Sequence, residues 1–306
     1  MKNKYTLISF LFLSLFLLAC KSTLQNNTQA LQNPEKGLLW KIEGKGLKKA
    51  SYLFGTIHLI PSDDYFLPEG LNEAFDECKN IVFEIDMSQL DDMNEMMSLL
   101  PKVIMKDELS LSDLITEEEY DRVKQFFNDA GIPLIFLERI KPLFLTMFAD
   151  TDIKPGVIES GVYKSYEMEF QKLAVEKGKK VMGLETIDYQ INILDSIPYE
   201  EQARMLVKSL DQSKTEMPVM DTLIKMYKEQ DISGMHKSIQ TDEISKYEKI
   251  LLNDRNENWI PVMSGIMKEN TSFFAVGAGH LGGENGVINL LRKSGFKLTP
   301  VLKQNK

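Results

Sequence analysis

Short apolar, β-rich runs stand at the two ends of this chain, and nearly everything between them has helical periodicity. Leu38 to Glu43 and Ser51 to Ile57 read as two strands, and Gly44-Lys45-Gly46 between them is flexible enough for a hairpin turn. Pro68 opens a helix through about Cys78, and Ile81-Val82-Phe83-Glu84-Ile85 follows as a short buried strand. Towards the other end, Ser272 to Val276 is a strand, Gly286 to Ser294 a helix and Phe296 to Val301 a last strand. Strands so far apart share one sheet only if the chain leaves it and returns. The expected fold is therefore α/β, a central mixed sheet built from N- and C-terminal strands with a large helical insertion over about residues 88–270.

Inside that insertion, Thr116-Glu117-Glu118-Glu119 has the form of a capping box. Tyr120, Val123, Phe126 and Phe127 then recur at helical spacing up to Gly131. A helix over about Tyr163 to Gly178 precedes a strand at Lys180 to Gly183, and further helices fall near 199–213, 216–229 and 241–254. Met87, Met93, Met96, Met97 and Met105 make an adaptable apolar surface, either core or a substrate-facing lid.

The first residues read as an address. Lys2 and Lys4 lead into an apolar run from Leu7 to Leu18, interrupted by Ser9 and Ser14, which is too short for a comfortable transmembrane span. It ends in Leu17-Leu18-Ala19-Cys20, which resembles the lipobox of bacterial lipoproteins, where the cysteine is acylated. The plainer alternative is a signal peptide with an incidental cysteine. Residues 1–19 are thus expected to be a signal peptide, 20–36 a flexible tether rich in Gln, Asn, Ser and Thr, and 37–302 the folded domain. The expected location is the bacterial cell envelope, the chain anchored through lipid on Cys20, with the outer membrane facing the periplasm favoured over the inner.

Composition removes several other readings. With 36 basic and 45 acidic residues and a net charge of −9, the chain has no electrostatic footprint for nucleic acid. Two cysteines exclude a disulfide scaffold and a Cys-rich zinc site, and with Cys20 lipidated, Cys78 is left as a small buried hydrophobe.

One short element recurs. Gly55-Thr56-Ile57-His58 follows the strand Tyr52-Leu53-Phe54, and Gly277-Ala278-Gly279-His280 follows Phe273-Phe274-Ala275-Val276. Each histidine thus falls just beyond the C-terminal end of a strand, where open α/β sheets place their ligands. Glycine there lets the chain turn sharply and brings backbone close to a bound group. Neutral imidazole is the commonest protein ligand for transition metals, although a single Gly-x-x-His is more often a structural turn. His236 has no strand before it and reads as a surface histidine. Glu84 lies inside an apolar strand, where an unpaired charge would cost several kcal/mol, so it is paired, protonated, metal-bound or on an exposed face. Two imidazoles and a carboxylate with open positions suit a divalent transition metal such as Zn, Mn, Fe or Co, and such a metal equips a site for hydrolysis.

Taken with their neighbours, these residues make the chain resemble the TraB/GumN family, related to the Tiki metalloproteases and more distantly to the erythromycin-esterase/ChaN-like fold. The resemblance covers about residues 37–302. It runs through Leu39-Trp40, Gly55-Thr56-Ile57-His58-Leu59, Glu84, Gly183-Leu184-Glu185-Thr186 with Gln190, and Leu252-Asn253-Asp254-Arg255-Asn256 with Trp259. It closes with Phe274 to Leu281, Gly286 and Leu290-Leu291. The resemblance implies metal-dependent peptide cleavage, with His58, Glu84 and His280 as metal ligands and Glu84 and Arg255 as catalytic groups. It also implies that Glu185, Arg255 and Asn256 line the substrate cleft; mutual ion pairing of Glu185 with Arg255 is an equal alternative. Where the family shows a glycine–apolar–acidic step, this chain has Ser165-Tyr166-Glu167, keeping the acid and losing the glycine.

The leading expectation is a lipid-anchored metal-dependent hydrolase acting on a peptide or protein substrate. A protein that sequesters a peptide or small signal without cleaving it is the second, and a small-ester or lactone hydrolase the third.

Overall fold

The computed structural model describes residues 36–91, 93–149, 160–213, 217–240 and 243–302. The expected signal peptide, Cys20 and all but the last residue of the expected tether lie outside the described residues. Eight strands occur among those described: β1 (Leu39–Gly44), β2 (Ser51–Thr56), β3 (Ile60–Pro61), β4 (Asn80–Ile85), β5 (Tyr163–Lys164), β6 (Lys180–Glu185), β7 (Ser272–Gly277) and β8 (Phe296–Pro300).

Six of them form one mixed sheet in the order β6-β4-β7-β2-β1-β8. The hairpin expected from Gly44-Lys45-Gly46 is present, with β1 antiparallel to β2 from Leu39↔Phe54 to Ile42↔Ser51. β8 closes that side antiparallel to β1. The pairs β2–β7, β7–β4 and β4–β6 are all parallel, so these four strands end on the same edge of the sheet. Every residue of β2, β4 and β7 is buried, as the near-continuous apolar runs of central parallel strands require. The sheet does combine N- and C-terminal strands, and β6 joins it from the middle of the chain. On one side Phe54, Phe75, Phe170 and Phe273 stack edge-on or tilted at 5.4–6.2 Å between ring centres.

The stretch from 88 to 270 is divided. Ser88–Val162 and Thr186–Pro218 form a helical unit, whereas Tyr163–Glu185 and the residues from Val219 onward belong with the sheet. In the helical unit, the Thr116 hydroxyl accepts from the Glu119 N–H and the Glu119 carboxylate accepts from the Thr116 N–H, which starts the helix Glu117–Asp129. Val123 and Phe127 of that helix bury against Leu111, Leu134, Leu145 and Leu206. Lys141, 1% exposed, is tied to Asp195 at 2.6 Å. The methionine-rich stretch is neither wholly core nor wholly lid: Met87, Met96 and Met105 are buried, and Met93 and Met97 exposed. Among the described residues no helix is long and apolar enough to cross a membrane.

Candidate metal and catalytic site

The shared edge of the four parallel strands carries the residues singled out by motif. His58 lies two residues past β2, His280 three past β7, Glu84 is the penultimate residue of β4, and Glu185 ends β6. All four belong to the sheet unit, and so do Glu167, Arg255, Asn256 and Trp259.

The glycines that open the two motifs are required for space. Neither adopts a positive φ. A Cβ on Gly55 would stand 2.5 Å from the Leu281 methyl and 3.1 Å from Ala278. At Gly277 a Cβ would enter the site itself, 3.3 Å from Glu84 Oε1, 3.6 Å from His58 Nε2 and 3.7 Å from His280 Cδ2. These three side chains therefore converge on the space that the missing Cβ leaves.

Glu84 is fixed from both sides. The β4–β7 register runs through Val82↔Phe274, and beyond it Glu84 Oε1 accepts the Gly277 N–H at 2.9 Å. Oε2 accepts from Arg255 Nη2 at 2.5 Å. Burial alone would raise its pKa, but Arg255, the two imidazoles and the Gly277 N–H outweigh burial and hold it at about 2.

Arg255 is only 2% exposed, and its donors point at protein groups. Nε and Nη2 reach Glu185 at 2.8 and 2.5 Å, and Nη1 reaches the Leu251 carbonyl at 3.1 Å. Nη1 also lies 3.3 Å from His280 Nε2. The π-helical turn Lys249–Asn253, just before the helix Asp254–Glu269, contains that carbonyl; such turns occur often at functional sites. The second oxygen of Glu185 accepts from Trp259 Nε1 at 2.8 Å. The ion pair weighed from sequence is thus present, and it lies in the same cluster as Glu84.

The two histidines are oriented through Nδ1. Asn256 donates its amide to the Asn285 carbonyl at 2.9 Å, which turns Oδ1 towards His280 Nδ1 at 2.6 Å. Nδ1 of His280 must therefore carry the proton, leaving Nε2 with its lone pair. Trp259 covers this ring at 4.4 Å between ring centres. Burial, helped by Arg255 and opposed by Glu84, lowers His280 to about 3, so the imidazole is neutral. His58 Nδ1 faces Glu167 Oε1 at 3.0 Å. Burial acts to lower His58 as well, but the carboxylates of Glu167 and Glu84 overcome it and raise its pKa.

The imidazole tautomers and the charge of Glu84 suit a divalent transition metal, while Arg255 Nη1 stands 3.3 Å from the His280 Nε2 that would bind it. Both imidazoles spend Nδ1 on an oxygen acceptor, the arrangement that orients metal-ligating histidines, and the carboxylate between them is ionised. Among the described residues no group of three His, Cys, Asp or Glu side chains is placed to hold a metal ion. Glu84 Oε1 is 3.7 Å from His280 Nε2.

Several features escape a reading by motif. Glu167 figures in the sequence only as part of a departure from a family pattern, yet it is 4% exposed and bonded to His58. His236 is not a surface residue; it sits half-buried in the helix Ile232–Gln240, where a Cβ on Gly283 would strike its ring. Cys78 is buried, and burial pushes its thiol up to about 12, which leaves it inert.

A sequence model of the TraB/PrgY/gumN family matches residues 38–300. The chain belongs to that family. This agrees with the resemblance carried by the two Gly-x-x-His motifs and their companions. Among curated relatives of this TraB/PrgY/gumN chain, metalloprotease TIKI2 of Xenopus tropicalis is 22% identical over 302 residues, covering 81% of this chain and 57% of the relative. Metalloprotease TIKI2 of Danio rerio is 21% identical over 334 residues, with 91% and 63% covered. Metalloprotease TIKI1 of Homo sapiens is 22% identical over 321 residues, with 87% and 62% covered. The chain thus spans about three-fifths of the length of these relatives. No solved structure matches it.

Proposed function

We propose that the chain is a metal-dependent hydrolase of the cell envelope, anchored by lipid on Cys20 and acting on a peptide or protein substrate. The observation that carries the reading is the convergence of His58 Nε2, His280 and the ionised Glu84 on the space beside Gly277, with Nδ1 of both histidines held by Glu167 and Asn256. The metalloprotease names of the distant relatives support the same reaction class. His58 and His280 would hold the metal, with Glu84 as third ligand or as general base. A divalent transition metal (Mn, Co, Zn or Fe) held there supplies carbonyl polarisation and a water of lowered pKa.

The protein's own groups have distinct tasks. Glu84 stays a carboxylate, and with its pKa held at about 2 it suits the part of a charged ligand better than that of a general base. Arg255 sets that charge state and braces Glu84 and Glu185 together. Asn256 fixes the tautomer of His280, and Trp259 shields its face from water. Glu185 is engaged with Arg255 and Trp259, so on this reading it and Asn256 shape the cleft wall chiefly by holding their neighbours.

The test is the metal content of the full chain after chelation and reloading, compared with His58→Ala and His280→Ala, followed by a peptide-library screen. Near-stoichiometric metal that is lost in both variants, together with cleavage, is expected. A folded wild-type protein that takes up no metal would overturn the reading and bring the sequestering protein forward.

A further inference from the structure

Glu167 has the surroundings of a working group. It stands in the first turn of the helix Tyr166–Glu176, a position that usually carries an exposed acid facing the positive helix end, yet here it is buried. Three donors meet its two oxygens. Thr56, the last residue of β2, donates its hydroxyl to Oε1 at 2.6 Å, and His58 Nδ1 lies 3.0 Å from the same oxygen. Ser165 donates to Oε2 at 3.1 Å while its own oxygen accepts the Met168 N–H at 3.4 Å and caps the helix. A buried carboxylate with its acceptors filled in this way has one orientation, and it imposes that orientation on the imidazole.

The geometry points to Glu167, braced by Thr56 and Ser165, as a positioning residue for His58: it keeps a proton on Nδ1 and turns Nε2 to the space beside Gly277. The inference rests on the reading of His58 as a metal-binding imidazole. Ser165, just before the helix, supplies the hydroxyl that holds Oε2 of Glu167.

The chain has three histidines, so the full protein labelled with 15N-histidine gives three imidazole spin systems, assigned through His58→Gln and His236→Gln. Two signals from hydrogen-bonded Nδ1 protons are expected in the metal-free protein, one from His58 and one from His280. Glu167→Ala should abolish the His58 signal and leave that of His280 in place. Glu167→Gln keeps the side-chain shape and serves if the alanine variant does not fold; it should shift the His58 signal alone. In parallel, Co(II) titrated into the same proteins should bind about 10–100-fold more weakly to the Glu167 variants, the usual cost of losing such a partner. An unchanged His58 signal together with an unchanged Co(II) affinity in a folded Glu167→Gln protein would overturn the inference. If the wild type binds no Co(II), the hydrolase reading falls, and the imidazole signals alone decide the role of Glu167.

Discussion

His58 and His280 follow the same four-residue motif at the ends of neighbouring parallel strands, yet their surroundings are opposite in kind. His58 is held by a carboxylate, Glu167, which overcomes burial and raises its basicity. His280 is held by a carboxamide, Asn256, lies beneath Trp259, and has the Arg255 guanidinium 3.3 Å from Nε2. Burial and that neighbouring cation keep it neutral. The motif sets where an imidazole stands; residues far away in the chain set what kind of imidazole it is. Without metal, one ring of the pair takes up a proton more readily than the other.

The largest expected effect comes from removing the cation that organises the His280 side. Arg255→Met leaves Glu84 and Glu185 buried without their guanidinium. It should cost about 3–5 kcal/mol in urea unfolding, as breaking a buried charge pair does. A change within error would mean that the two histidines do not differ through Arg255.

Next is the pH dependence of the metal-free protein, where the two imidazoles act with opposite signs. His280 titrates at about 3 in the folded chain against 6.5 ordinarily, so between these values the unfolded chain binds more protons and stability rises with pH. Glu84, at about 2 against 4.5, adds stability that is full above 4.5 and lost as pH falls towards 2. For His58, raised above 6.5, the folded chain binds more protons; its contribution is full below 6.5 and lost as pH rises through the folded value. Thermal melts across pH should therefore lose part of the acid-side slope in His280→Gln and part of the fall above pH 6.5 in His58→Gln. The same change in both variants would erase the distinction.

Smaller still is Gly55→Ala, whose methyl meets Leu281 at 2.5 Å and should cost about 1–3 kcal/mol by overpacking. The smallest is Thr56→Val. It removes one donor from Glu167 and should cost about 1 kcal/mol by chemical denaturation, sharpening the contrast if the His280 side is untouched.

Much of this was legible in the residues. The hairpin, the central strands, the capping box at Thr116 and Glu119, and the convergence of His58, Glu84 and His280 follow from β-rich runs, glycines and an acid inside an apolar strand. Of the two parts expected of the glycines, close backbone approach holds at Gly277, while the sharp turn gives way to room: Gly55 and Gly277 have no positive φ and sit where a Cβ has no place. Glu167 was not legible as a site residue, because a first-turn acid is commonplace and its partners Thr56 and His58 lie more than a hundred residues away. The pairing of Arg255 with Glu185 was one of two readings open from sequence, but its bonds to Glu84 and the Leu251 carbonyl were hidden, since they depend on the alignment of β4 and the π-helical turn. The partition of the middle of the chain into a helical unit and segments that return to the sheet carries no local signal beyond the short strand at Lys180.

The decisive measurement is anomalous diffraction from crystals of the Co(II)-loaded protein. One cobalt is expected beside Gly277, within coordination distance of Nε2 of both His58 and His280, with Nδ1 of each still facing Glu167 and Asn256. Cobalt bound to only one of these histidines, bound through Nδ1, or found only elsewhere in the molecule would contradict a site shared by the two.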